Sequence, residues 1–287
     1  MTAFATVAVL GAGTMGHGIA QAAAAAGCRV NLYDVDADAV QRALGRIRAN
    51  LDKGVELGRV SDEVRATALE GLRAAPSLGE ATRDAQLVIE AAPESLDLKR
   101  GLLQQVEALA DESAVLATNT SSLSIAQLAG ALARPHRFLG LHFFNPAHVM
   151  PLVEVVRGPG TGENELERAV AFVQQLGKVP LLVRDSPGFA TSRLGVLLGL
   201  EAMRMLEEGV ADAETIDKAM ELGYRHPVGP LRLTDLVGLD VRLGIAEYLH
   251  RELGSEAFRP PEILRRMVAE GKLGKKAGQG FYRWEER

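Results

Sequence analysis

The chain has 287 residues, a length typical of one large domain or two modest ones, and 47% of them are hydrophobic against 24% charged. That balance is ordinary for a globular chain and excludes wholesale disorder. The 32 basic and 37 acidic side chains give a formal net charge of −5, so the composition offers no reason to expect a nucleic-acid or membrane partner.

A single cysteine, Cys28, excludes an intramolecular disulfide and a cysteine-rich metal centre, and no metal site is predicted. The sequence has no apolar run of roughly 18 residues or more, the length that spans a bilayer. Its first residues lack the basic segment and cleavage site of a secretory signal. These features predict a cytoplasmic protein.

Short apolar runs alternate with helical patterns through the first two thirds of the chain. The runs predict strands at Ala5–Leu10, Arg29–Tyr33, Leu87–Glu90, Ala114–Ala117, Phe138–Phe143, Leu152–Val156 and Pro180–Val183. The patterns predict helices at Met15–Ala26, Ala37–Leu51, Leu96–Leu109 and Asn164–Leu176. Apolar strands that alternate with helices indicate a parallel sheet covered on both faces.

Helical patterns dominate after the last of these strands. Ser186-Pro187 has the form of an N-cap with proline in the first turn, so a long helix is predicted over Gly188–Glu208. More helices are predicted at Ala213–Leu222, Leu231–Val237, Val241–Leu253 and Pro261–Glu270, and a strand-like run at Gly280–Trp284. We therefore predict an α/β protein, with a Rossmann-like dinucleotide-binding domain over 1–184 and an all-helical C-terminal domain over 185–287.

A glycine-rich turn joins the first predicted strand to the first helix, which is the context that a G-x-G-x-x-G motif requires. Its glycines permit a tight turn, approach of the backbone to a pyrophosphate, and close helix packing. Asp34 ends the second strand, where a carboxylate accepts hydrogen bonds from a ribose, and no arginine directly follows it to hold a 2′-phosphate. NAD rather than NADP is therefore predicted to bind Gly11, Ala12, Gly13, Thr14, Met15, Gly16 and Asp34.

Hydride transfer from a hydroxyl-bearing carbon needs a base, and His142 lies in a predicted strand that Asn145-Pro146 terminates. If the next strand pairs antiparallel with it, Glu154 can lie opposite, with Cβ atoms roughly 4.5–5.5 Å apart. The carboxylate would then fix the imidazole tautomer. A buried histidine held by a carboxylate for structural reasons is the alternative. His17 is predicted to pack near the cofactor, and the remaining histidines to be solvated.

A polar segment that includes Ser121 follows the strand Ala114–Ala117, at the sheet edge where open α/β folds bind ligands. Its hydroxyls suit a substrate oxygen, although such segments also form ordinary caps and turns.

Taken together, the motifs resemble those of the L-3-hydroxyacyl-CoA dehydrogenases, in the same order and over essentially the whole chain. The similarity is greatest to the short, monofunctional 3-hydroxybutyryl-CoA dehydrogenase branch. The motifs are Gly11–Gly16, Asn119–Leu123, Gly140–Pro146, Val153–Val155, Ser186–Phe189 and Gly274–Tyr282. The resemblance implies reversible, NAD-dependent interconversion of an (S)-3-hydroxyacyl-CoA and a 3-oxoacyl-CoA, and a homodimer.

The resemblance also implies roles for individual residues. His142 would be the general base, Glu154 would orient and stabilise it, and Ser121 would bond the substrate C3 oxygen near the nicotinamide. Further cofactor contacts are implied for Glu94, Lys99, Asn145 and Lys276, and contacts to coenzyme A for Lys53 or Arg59.

The family usually has an asparagine before Arg193, and here Ser192 takes its place. A serine hydroxyl is shorter and lacks the two donors of the amide, so Ser192 would contact the substrate through a water or share the task with Thr191. The preferred acyl group therefore stays open. The alternatives are a dehydrogenase of 3-hydroxyadipyl-CoA or of a CoA-free 3-hydroxy acid and, more remotely, a non-catalytic NAD-binding structural protein. A carboxylated acyl tail would require a cationic group that the sequence alone does not locate.

Overall fold

The structure is a computed structural model, and it describes residues 3–284. The chain forms two compact units and passes from the first to the second between Asp185 and Ser186.

The first unit is built on one eight-stranded sheet with the order β3-β2-β1-β4-β5-β6-β7-β8. All neighbouring strands are parallel except β6 and β7, which pair antiparallel. The order reverses at β1, and ligands bind at such switch points in open α/β sheets. The strands are β1 (Thr6–Leu10), β2 (Arg29–Tyr33), β3 (Leu72–Ala74), β4 (Leu87–Glu90), β5 (Val115–Thr118), β6 (Phe138–Phe143), β7 (Leu152–Arg157) and β8 (Val179–Arg184).

Seven α-helices accompany this sheet within residues 3–185, which confirms the predicted α/β class with a Rossmann-like first domain. The central strands β1, β4 and β5 are buried throughout, as expected of strands that are apolar on both faces. The helices are α1 (Thr14–Ala25), α2 (Ala37–Glu56), α3 (Asp62–Gly71), α4 (Leu78–Thr82), α5 (Leu96–Leu109), α6 (Ile125–Ala129) and α7 (Glu163–Gln175).

Strand β3 and the end of α2 differ from the sequence prediction, and the helices α3, α4 and α6 were not predicted. The edge strand β3 was not predicted, because Leu72-Arg73-Ala74 is short and only half apolar. Helix α2 continues to Glu56, beyond the predicted end at Leu51. Leu51 is its last buried residue, so the final turns of the helix lack the pattern of buried apolar positions that marks the rest.

The second unit is helical, and no strand is assigned within its described residues, 186–284. None of the helices in the described part of the chain is both long and apolar enough to cross a bilayer. The helices of this unit are α8 (Thr191–Glu207), α9 (Ala213–Gly223), α10 (Pro230–Val237), α11 (Leu239–Leu253) and α12 (Glu262–Ala269).

The predicted helix N-cap at Ser186-Pro187 is wrong. Gly188 and Phe189 have φ angles of 75° and 48°, which no α-helical residue adopts. They form a turn, and α8 begins only at Thr191.

The predicted terminal strand at Gly280–Trp284 is also wrong. Only isolated β-bridges occur there, from Gln279 to Gly274 and to Arg283. The segment instead wraps around the buried carboxylate of Asp235, which accepts hydrogen bonds from the backbone N–H groups of Phe281 and Tyr282, both 2.9 Å, and from Trp284 Nε1, 2.8 Å. A run of aromatic residues that wraps around one carboxylate gives the same apolar sequence signal as a strand.

Candidate active site

The glycine turn after β1 is held so closely that two of its positions exclude a side chain. Gly11 has a φ angle of 106°, and a Cβ atom there would lie 2.5 Å from the carbonyl oxygen of Ala91. A Cβ atom at Gly16 would overlap the carbonyl oxygen of Gly11. At Gly13, by contrast, a Cβ atom would meet nothing within 4 Å. The turn is therefore packed on one side and open on the other.

The open side of the turn lines a cleft of about 760 Å³ at the carboxyl ends of the central strands. That volume lies in the range of small-molecule sites. Helix α1 starts at the cleft, and its N-cap Gly13 has no side chain to cover the first N–H groups, which suits a pyrophosphate. The cleft's apolar wall includes Leu78, Pro93, Leu98 and Leu102.

Asp34 lies at the end of β2 and lines the same cleft. Its carboxylate accepts hydrogen bonds from the backbone N–H groups of Ala12, 2.7 Å, and Asp36, 3.0 Å, and is thereby fixed in position. A fixed carboxylate, an uncapped helix terminus and an apolar wall match the ribose, the phosphates and the base of a dinucleotide. The residues present therefore fit NAD.

Beneath the cleft lies a buried ion pair that the sequence reasoning missed. Lys99 Nζ is 2.7 Å from Glu90 Oε1, and the two side chains are 1% and 0% exposed. Glu90 also accepts hydrogen bonds from Ala92 N–H, 2.6 Å, and Thr118 Oγ1, 2.6 Å. The pair fixes the β4–α5 loop that forms one wall of the cleft. Lys99, predicted to contact the cofactor, is engaged here and is not among the residues that line the cleft.

Glu94 organises the loop that follows β5. Its carboxylate accepts hydrogen bonds from Thr120 Oγ1, from Ser121 N–H at 3.1 Å and from Ser122 Oγ at 3.3 Å. Lys99 Nζ lies 3.3 Å from the same carboxylate. Glu94, predicted as a cofactor contact, therefore holds the backbone of Ser121.

A further hydrogen bond joins this loop to the end of β6. Asn119 Oδ1 accepts a hydrogen bond of 2.9 Å from the backbone N–H of Phe143, the residue after His142. The sequence reasoning did not assign Asn119 a role, although its position just after a buried strand was a usable signal.

His142 and Glu154 lie opposite each other in the β6–β7 register, the arrangement considered from the sequence. His142 Nδ1 is 2.7 Å from Glu154 Oε2, and the side chains are 8% and 0% exposed. The ring of Phe144 packs against the imidazole at 4.4 Å between centroids. A buried carboxylate at this distance orients the imidazole and favours a proton on Nδ1.

The other predicted residues lie elsewhere. Asn145 is exposed just after β6, and Lys53 is exposed on α2, where its Nζ lies 2.8 Å from Glu56 Oε2. Ser192 and Lys276 belong to the second unit, the first in the opening turn of α8 and the second bound to Asp240 at 2.6 Å.

The prediction that His148 is solvated is wrong. The loop after β6 folds against α1, where a Cβ atom at Gly18 would meet Ala147, and His148 is half-buried with no hydrogen-bond partner for Nδ1 among the described residues. Burial, together with the charges of His17 and Lys178, holds the pKa of His148 below its usual value. His17 lies at the glycine turn, where its Nδ1 is 2.8 Å from the carbonyl oxygen of Gly13.

Comparisons with known proteins agree over the whole chain. The family models described as 3-hydroxyacyl-CoA dehydrogenase, NAD binding domain, and 3-hydroxyacyl-CoA dehydrogenase, C-terminal domain, match residues 6–186 and 188–284. A probable 3-hydroxybutyryl-CoA dehydrogenase of Bacillus subtilis is 41% identical over 279 residues, 97% of each chain. A 3-hydroxyadipyl-CoA dehydrogenase of Escherichia coli is 42% identical over 97% of this chain and 59% of its own.

Among solved structures, the (S)-3-hydroxybutyryl-CoA dehydrogenase of Ralstonia eutropha matches with a TM-score of 0.95 and 41% identity, over 99% of this chain and 100% of that one. Both halves of the chain and its fold thus match known 3-hydroxyacyl-CoA dehydrogenases. The chain belongs to the 3-hydroxyacyl-CoA dehydrogenase family and is an NAD-dependent dehydrogenase.

Proposed function

We propose that the protein interconverts short-chain (S)-3-hydroxyacyl-CoA and 3-oxoacyl-CoA thioesters, with His142 as the acid–base group. The observation that carries this proposal is the buried pair of His142 and Glu154. Strand β6 is parallel to the strands that hold the glycine turn, so its end meets the sheet edge at which the cofactor cleft opens. The names of the relatives above support the short acyl chain.

In the oxidative direction, His142 takes the proton of the C3 hydroxyl at Nε2 while the carbon gives up its hydride. Bound NAD supplies the hydride acceptor. Glu154 stabilises the imidazolium that forms, and the proton returns from His142 in the reverse direction. Ser121 donates a hydrogen bond to the C3 oxygen, and Glu94 holds the Ser121 loop in place.

The remaining cofactor contacts follow from the cleft. Asp34 binds the adenosine ribose, and the N–H groups at the start of α1 bind the pyrophosphate. Lys99 acts on the cofactor indirectly, because it holds Glu90 and Glu94 in place. Asn145 and Lys276 stay predicted cofactor contacts, and Lys53 and Ser192 stay predicted substrate contacts.

The first experiment follows loss of NADH absorbance with acetoacetyl-CoA, and free acetoacetate is the control. We expect rapid oxidation only with the thioester. His142→Ala should lower kcat by roughly 10²–10⁴ and leave NADH binding intact, because only proton transfer is lost. His136→Ala, at an exposed histidine of the same unit, should leave kcat unchanged. If His142→Ala turns over at the wild-type rate, His142 is not the acid–base group.

We also propose a cytoplasmic homodimer, with residues 1–184 as the cofactor domain and 185–287 as the substrate and dimerisation domain. The second unit supports self-association, because large apolar side chains such as Leu194 and Leu222 are exposed on it. Sedimentation equilibrium should give twice the chain mass. A monomer mass at all concentrations would contradict the dimer.

A further inference from the structure

Strand β6 extends further than its neighbour β5 at the sheet edge where the cofactor cleft opens. The two strands pair in parallel as far as Thr118 and Gly140, and β5 ends there. The last three residues of β6, Leu141–Phe143, extend beyond that pair and include His142. They pair with β7 on one side, whereas no residue of β5 lies opposite them on the other side.

Asn119 fills this gap from the end of β5. Its Oδ1 atom accepts the 2.9 Å hydrogen bond from the backbone N–H of Phe143. Phe143 is 2% exposed, and a buried N–H that loses its partner is costly. The backbone N–H of Asn119 donates a hydrogen bond of 2.8 Å to the carbonyl oxygen of Glu90, at the end of β4. One residue therefore bridges the ends of β4 and β6.

The two strand ends that Asn119 bridges carry the two parts of the chemistry. Ala91 and Ala92 follow β4 directly and line the cofactor cleft, whereas His142 directly precedes Phe143. The substrate must give the hydride of C3 to the bound cofactor and the proton of the C3 hydroxyl to His142. Because that carbon and oxygen are joined by one bond, both transfers require a fixed distance between the cleft and the imidazole. A displacement of about 1 Å can lower a rate by about a hundredfold.

We propose that Asn119 is a positioning residue of the dehydrogenase reaction, whose side-chain amide fixes the distance between His142 and the cofactor cleft. This inference rests on the proposed function. Glu154 orients the imidazole from β7, and Glu94 holds the Ser121 loop from the β4–α5 side. Asn119 complements both carboxylates, because it connects the backbone of β6 to the backbone of β4.

The test replaces the amide of Asn119 by an apolar group of nearly the same shape. Asn119→Leu should lower kcat for the reduction of acetoacetyl-CoA by roughly tenfold to a hundredfold. The Kd for NADH, measured by fluorescence titration, should stay at the wild-type value, because Asn119 is not among the residues that line the cleft. Asn119→Asp keeps an oxygen acceptor for the Phe143 N–H and should recover most of kcat. A wild-type kcat in Asn119→Leu, or a loss that lies wholly in NADH affinity, overturns the proposal.

Single-turnover oxidation of enzyme-bound NADH separates positioning from a general loss of folded protein. Its amplitude measures the fraction of active enzyme, and its rate constant measures the chemical step. We expect Asn119→Leu to lower the rate constant, and a loss of amplitude alone overturns the proposal. In a His142→Ala background, Asn119→Leu should lower the rate constant little further, because residues that act as a unit are not additive. Effects that multiply in the double variant overturn the proposal.

Asn31 offers a matched control in the same sheet. It is half-buried in β2, as Asn119 is after β5, and its Nδ2 donates a hydrogen bond of 3.0 Å to the carbonyl oxygen of Ala81. Asn31→Leu removes a hydrogen bond of the same kind and should leave the single-turnover rate constant unchanged. Equal losses of that rate constant in Asn31→Leu and Asn119→Leu overturn the proposal.

The activity of the wild type separates the two levels of inference. If the wild type reduces no thioester, the proposed function fails and the role of Asn119 fails with it. If the wild type reduces acetoacetyl-CoA and depends on His142, while Asn119→Leu is as fast as the wild type, only the role of Asn119 fails.

Discussion

Lys99 in the first unit and Arg242 in the second are both buried cations, and their surroundings are opposite. In the first unit, Lys99 Nζ is surrounded by the carboxylate of Glu90 at 2.7 Å, the carbonyl oxygen of Ala92 at 3.1 Å and the carboxylate of Glu94 at 3.3 Å. In the second unit, Arg242 is almost as buried, yet no acid within residues 3–284 is paired with it. Burial alone therefore does not show whether a cation has a structural partner. The groups that surround it within the chain show this.

The largest effect expected from this comparison is on Lys99. Lys99→Met leaves Glu90 buried without its cation, so we expect the free energy of unfolding of the first unit to fall by about 3–5 kcal/mol. Denaturant titration measures the change. Lys53→Met removes the lysine of an exposed pair with Glu56 and should cost less than about 1 kcal/mol.

A double variant, Glu90→Leu with Lys99→Met, removes both charges at once. We expect it to be more stable than Lys99→Met alone, because no unpaired buried charge remains. If Lys99→Met lowers the free energy of unfolding as little as Lys53→Met does, Lys99 and Glu90 do not form the structural ion pair described above.

Substitution of Arg242 should change the free energy of unfolding in the opposite direction. Because no carboxylate of the described chain is paired with Arg242, Arg242→Met removes a buried charge and leaves no partner unpaired. We expect the second unit of the unliganded protein to gain about 1 kcal/mol or more in unfolding free energy. Thermal unfolding without substrate tests this, with Arg266→Met as the exposed control. A loss of stability comparable to that of Lys99→Met would mean that Arg242 has a structural partner.

Sequence reasoning recovered the parts of the site that rest on short-range rules. The glycine turn, Asp34 and the opposition of His142 to Glu154 follow from a motif and from the two-residue period of strands. The alternation of strands and helices likewise predicted the sheet, apart from β3, which is too short and polar to give an apolar signal.

The groups that sequence reasoning missed depend on tertiary contacts. The buried state of Lys99 and its partner Glu90 is invisible in a sequence, because a lysine on a helix is solvated far more often than it is buried. Arg242 gave no signal for the same reason. The turn at Phe189 was missed because Ser186-Pro187 satisfies the local rule for a helix start, and a positive φ angle is uncommon at a bulky residue such as Phe189.

His148 offers a third way to deal with a partly buried cation, since a histidine can give up its proton. Its pKa is lowered by burial and by the charges of His17 and Lys178, so the unfolded chain binds the proton more readily than the folded one. Stability should therefore fall as the pH drops below about 6.5, the histidine value in an unfolded chain, and should continue to fall until the lowered folded pKa is passed.

The effect of this titration should be the smallest of the three, because His148 is only half-buried. His148→Asn should flatten the dependence of unfolding free energy on pH below about 6.5. His136→Asn, at an exposed histidine, should leave the dependence as it is in the wild type. A His148→Asn curve parallel to that of the wild type would mean that His148 takes up its proton equally well in the folded and unfolded chain. Burial would then not discharge the imidazole, and His148 would not be a third way of treating a buried cation.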